Sequence, residues 1–133
     1  MNNAINLIGR LLLAALFLPA GLSKLSGFEG TVGYISSVGL PLPTVAAAVA
    51  LAVEIVGSVA LIVGFQTRIA AAVLAVFTLV ASVFFHAFWA AAPEQAFVQQ
   101  LLFFKNIGVI GGLLVLVSSG AAGLSLDAKK EAQ

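Results

Sequence analysis

Five ionisable side chains interrupt or border the apolar runs of this chain: Arg10, Lys24, Glu54, His86 and Lys105. A carboxylate inside "ALAVEIVGSVALIVGF" (50–65) costs several kcal/mol in hydrocarbon unless it has partners. Glu54 is therefore the first candidate for chemistry, as a group that exchanges a proton, and His86 is the second. Arg10, Lys105 and, at the rim, Lys24 are the candidates for binding a ligand's oxygens. A stem as long as theirs lets arginine and lysine carry charge well away from their own backbone position.

Glu54 is the only acid in the apolar runs, against two cations, Arg10 and Lys105, and a histidine that is neutral or positive. One anion is missing from such a core. Either desolvation neutralises Lys105, or an external group with negative charge or strong acceptor oxygens completes the site. A quinone carbonyl, a quinol oxygen, a lipid phosphate or a carboxylate would each serve. The structural alternative is that the buried polar groups only tie helices together, at about 0.6 kcal/mol each. His86, beside Phe85, Phe88 and Trp89, also fits an aromatic belt at the membrane surface.

Composition narrows the chemistry. The chain has 133 residues, 62% hydrophobic and 8% charged, with a mean hydropathy of +1.17, where an average soluble domain has about 25% charged residues. A membrane protein is expected. A net charge of +1 with no basic cluster sets nucleic acid aside. Zero cysteines exclude a disulfide relay, thiolate-held iron–sulfur clusters and covalent haem attachment, so no covalently bound cofactor is expected. One histidine and one membrane acid make a poor set of metal ligands, and no metal site is assigned.

The elements that must position these residues are helices. A span needs about 20 apolar residues, and four runs qualify, roughly 4–23, 44–65, 69–91 and 97–118. The first reads as an uncleaved span and not a signal peptide, because Arg10 lies within it. Short links predict an all-α, antiparallel four-helix membrane bundle. The first connection is longer. Phe28, Val32, Ile35 and Val38 recur there as on a short amphipathic helix lying in the interface, ended by Gly39, Pro41 and Pro43. Residues 120–133 read as a short polar tail.

An even number of spans puts both termini on one side with Arg68, Lys129 and Lys130, against Lys24 on the other, which predicts cytoplasmic termini. The packing faces are read as Arg10, Ala14, Phe17, Gly21 and Lys24; Ala47, Ala50, Glu54, Gly57, Leu61 and Gly64; Ala72, Ala75, Leu79, Ser82, His86 and Trp89; and Leu101, Lys105, Gly108, Gly112, Val115 and Ser119. Gly108 and Gly112 would form a small-xxx-small contact. At 1.5 Å per residue, Glu54 lies roughly 15 Å and Lys105 roughly 12 Å from the outer boundary, with Arg10 roughly 9 Å from the inner one. Arg10 is expected to reach toward Glu54 from below, with Lys105 and His86 approaching from above.

Read in order, "GRLLLAALFLPAGLSKL" (9–25), "Y…GLPLP" (34–43), "VEIVGSVALIVGFQTRIAA" (53–71), "HAF" (86–88) and "FFKNIGVIGGLLVL" (103–116) resemble the DoxX family of small bacterial membrane proteins. The resemblance implies a single four-helix domain in the bacterial inner membrane, with Arg10, Lys24, Glu54, His86 and Lys105 on the family's recurrent polar positions. It also implies a membrane subunit of a quinone-linked oxidoreductase system. A chain this small with no cofactor motif is expected to work in company, with a partner redox subunit or as a homo-oligomer. A scaffold or assembly factor without chemistry, and a small transporter or proton path, are the alternatives.

Overall fold

The computed structural model describes residues 2–132. Its elements are α1 (Asn3–Ser26), α2 (Phe28–Ser37), α3 (Pro43–Val63), α4 (Thr67–Phe85), a short 3-10 turn (Phe88–Ala90), α5 (Pro93–Ser119) and α6 (Leu126–Glu131). Four stretches are long and apolar enough to cross a membrane: α1, α3, α4 with the turn that follows it, and α5. The expected four-span, all-α organisation is what forms. Most of each helix surface is apolar and outward, as lipid requires, and Leu12, Val56, Val76 and Val115 are all exposed.

The bundle is assembled pairwise. α1 packs along α3, α5 along α4, and α3 joins the two pairs. Close approach depends on two glycines. A Cβ on Gly21 would stand 2.7 Å from Ile55 Cγ1 and 3.2 Å from the Ile55 amide, so α1 can sit against α3 only with glycine there. Gly57 lies as tightly against Leu74 of α4. Ala14, Phe17, Leu61, Ala71, Leu74, Leu113 and Leu116 form the buried core.

Of the four expected packing faces, the first two are the buried ones: Arg10, Ala14, Phe17 and Gly21 on α1, and Ala47, Ala50, Glu54, Gly57 and Leu61 on α3. On α4 the buried face is shifted to Ala71, Leu74, Ala75, Thr78 and Ser82, leaving Leu79 and Trp89 outside. On α5 the expected face is the wrong one. Asn106, Leu113 and Leu116 are buried, while Lys105, Gly108 and Gly112 are exposed. A Cβ on Gly108 would meet nothing within 4 Å, so the expected small-xxx-small contact does not form inside this chain. One position is a rotation of about 100° on a helix, and the buried polar residue is Asn106, the neighbour of the charged one.

The connections also differ in detail. α2 forms as expected, with Ile35 buried and Phe28, Val32 and Val38 half-buried, and it lies against α3. α4 stops at Phe85, short of the expected 91. Beyond it the chain folds over α5 through Phe88 and Trp89, whose rings sit 5.5 and 5.6 Å from that of Phe103. Residues 120–132 turn back across the terminal end of the bundle instead of leaving it, with Gly123 N–H donating to Asn3 Oδ1 at 3.0 Å and Asp127 N–H to the Gly64 carbonyl at 2.8 Å.

Candidate functional site

The half of the bundle away from the termini holds a partly open cavity of about 820 Å³. Phe17 and Ala20 of α1, Ala50 of α3 and Ala81 of α4 supply apolar wall. α2 lies across it, and Tyr34 stacks on Phe85 with ring centroids 5.1 Å apart. Lys24, Glu54, His86 and Asn106 are among the polar side chains that line the cavity.

Lys24 Nζ lies 2.6 Å from Glu54 Oε1, and it is the carboxylate's ion partner. The Glu54 side chain is 4% exposed and that of Lys24 26%. The pairing follows from Gly21, which brings α1 down on Glu54 and Ile55 and leaves Lys24, three residues further on, to reach the carboxylate. The expected approach of Arg10 to Glu54 does not occur.

Arg10 is buried at the terminal end, where its guanidinium caps the end of α3. Nη1 donates to the carbonyls of Leu61 at 2.9 Å and Ile62 at 3.3 Å, Nε donates to Asn6 Oδ1 at 2.9 Å, and Nη2 donates to the Leu124 carbonyl. Unpaired carbonyls at a helix C-terminus attract a cation, and an arginine supplies enough donors for several of them. Lys105 does not enter the cavity either. It is exposed on the outward face of α5. With Arg10 and Lys105 both elsewhere, Lys24 is the cation that faces Glu54, and the two balance each other without a further anion.

His86 lies at the end of α4, half-buried, with Nδ1 2.8 Å from Gln99 Oε1. With Nδ1–H donating to that oxygen, Nε2 is the ring nitrogen left without a partner among the described residues. Asn106 is 9% exposed and donates from Nδ2 to Ser82 Oγ at 3.0 Å. It was not among the residues singled out by sequence. The signal available was an asparagine well inside the apolar run, one position from the lysine that is the more conspicuous polar residue. Together these groups offer a carboxylate, an ammonium, an imidazole and a carboxamide around one apolar volume. That set can grip an uncharged ring with polar ends and move a proton to or from it.

Comparison with known proteins gives a match to the DoxX family model over residues 5–87. The chain is 33% identical to "Inner membrane protein YphA" of Escherichia coli over 121 residues, 91% of this chain and 86% of that protein. It is 36% identical to "Inner membrane protein YqjF" of the same organism over 124 residues, 91% of this chain and 88% of that protein. It is 28% identical to "Surfeit locus protein 4 homolog" of Drosophila melanogaster over 136 residues, 98% of this chain but 42% of that protein. No solved structure matches the chain.

Proposed function

The chain belongs to the DoxX family, and from that premise we propose that it is the membrane subunit of a quinone-linked redox system, binding a quinone in the cavity beside Lys24 and Glu54. The observation that carries this reading is a charge-balanced ion pair lining a largely apolar space of about 820 Å³ within the spans. A quinone is uncharged, flat and apolar, with oxygens at opposite ends of its ring. Lys24 donates to one oxygen, and Glu54, freed from that pairing as the ammonium turns to the ligand, exchanges the proton that accompanies electron transfer. His86, with Nε2 available, serves the same purpose at the mouth. Arg10 and Lys105 have no part in the binding itself. The chain has no cysteine for a thiolate relay, so the electrons are assigned to a partner subunit.

The two Escherichia coli relatives are named inner membrane proteins, and we place this chain in a bacterial inner membrane with its termini in the cytoplasm. The deciding experiment is mass spectrometry with organic extraction of gently purified protein, wild type against Glu54→Gln. A stoichiometric quinone that disappears in the variant is the expected result. Equal folding of both proteins with no quinone in either overturns the reading.

A second reading, a membrane scaffold or assembly factor, is favoured by one observation: exposed Lys105 and Gly108 leave α5 with an outward face that another helix can approach. It predicts that Gly108→Leu abolishes co-purification of a partner while leaving the cavity's ligand content unchanged.

A further inference from the structure

Asn106 sits at the end of a directed hydrogen-bond chain. Ser82 Oγ–H donates to the Thr78 carbonyl at 2.6 Å, where the chain ends. Ser82 is fully buried and has a single hydroxyl proton, already committed to Thr78, so its oxygen faces Asn106 as an acceptor. The Asn106 amide must therefore present its NH2 to Ser82, as it does at 3.0 Å. Turning the amide over would either set two acceptor oxygens together or strip the bond to Thr78. Asn106 Oδ1 is thereby left as the unspent end of the carboxamide. It accepts no hydrogen bond among the described residues, on a side chain nine-tenths buried that lines the cavity.

We propose that Asn106 Oδ1 is a fixed hydrogen-bond acceptor in the cavity that selects a ligand bearing a hydroxyl donor, so that the site prefers the reduced, hydroxyl-bearing form of a quinone over the oxidised, carbonyl-bearing form. The inference rests on the quinone reading above. An acceptor fixed on the wall of a largely apolar cavity gains from an O–H group and is faced by another acceptor when the ligand offers a carbonyl. Sites built to hydrogen-bond a hydroxyl discriminate strongly against analogues lacking it. Lys24, a donor, has the opposite preference. The balance between it and Asn106 then sets which redox form is held.

The test is equilibrium binding of a short-chain benzoquinone and of its quinol to the full-length protein in lipid nanodiscs. Wild type is expected to bind the quinol about tenfold tighter. Asn106→Leu should abolish that preference while binding of the oxidised form is retained. Ser82→Ala, which frees the amide to turn its NH2 toward the ligand, should reduce or reverse the preference with Asn106 still present. That second variant carries the test if Asn106→Leu fails to fold, and a merely structural amide would not shift the ratio of the two affinities. Binding of both forms with a ratio unchanged in the variants, or no preference in wild type, overturns the Asn106 assignment alone. Binding of neither form by folded wild type overturns the quinone reading and this inference with it.

Discussion

Lys24 and Glu54 bring a cation and an anion to 2.6 Å inside a membrane protein, where each alone would be costly. Removing one member strands the other, so the pair should show a coupling that neither single substitution reveals. A double-mutant cycle with Lys24→Met and Glu54→Gln is expected to give about 1–2 kcal/mol, reduced from the fully buried case because Lys24 is partly exposed. The same cycle with Arg10→Gln and Glu54→Gln should be additive to within about 0.5 kcal/mol, since Arg10 is bound to carbonyls at the other end of α3. Thermal melts in one detergent measure both, and coupling to Arg10 but not Lys24 would refute the pairing. That Glu54 needs a partner was legible in the sequence, because it lies inside a continuous apolar run. Which partner was not, because Arg10 and Lys24 share a face of α1 and the interposed α2 leaves the register of α1 on α3 unfixed by any tight turn. Gly21 against Ile55 fixes it, and that contact joins residues far apart in the chain.

At the scale of the helices, the inner faces of α1 and α3 were readable from small residues in register with a polar one, because burial and polarity coincide there. α5 is apolar nearly all round, so periodicity gives its face no direction, and the polar residue that marks the buried side is Asn106 and not the neighbouring Lys105. The glycines separate the two assignments. Gly21→Ala forces α1 off the α3 backbone and should cost about 1–3 kcal/mol as an overpacked contact. Gly108→Ala meets open space in the isolated chain, and should be neutral or gain up to about 1 kcal/mol from helix propensity. Melting temperatures of the two variants check this. A large loss at Gly108 together with tolerance at Gly21 would restore the packing face first read from the sequence.

Across the whole molecule, charges at the terminal end serve mainly to close helices. Arg10 holds the last carbonyls of α3, and Arg68 Nη1 and Nη2 hold those of α5 at Val117, Ser118 and Ser119. Asp127 accepts the first amides of α4, Gln66 N–H at 2.8 Å and Thr67 N–H at 2.9 Å. Gly64, at φ +69°, makes room for this meeting, since a Cβ there would stand 2.7 Å from Arg10 Nη1 and 3.0 Å from Ser125 Cα. The segment expected to trail away as a tail is thus the strap that joins the ends of α1, α3 and α4. Composition could not reveal it, because the partners of a capping carboxylate are backbone groups and leave no trace in residue type. Burial alone would raise the Asp127 carboxyl, but the Thr67 hydroxyl and amide, the Gln66 amide and the nearby Arg10 charge outweigh it and hold it below the ordinary carboxylate range. A carboxylate whose folded value is depressed contributes stability above its unfolded value, about 3.9, and loses that contribution as pH falls through the folded one. Asp127→Ala should therefore lower stability by about 1 kcal/mol at pH 7, the usual worth of a helix N-cap. The gap to wild type should narrow below about pH 4 and close once the folded carboxylate is protonated. Melts from pH 7 to pH 2.5 follow it; a gap that stays constant to the acid end would mean that Asp127 fastens the strap by its backbone and not by its charge.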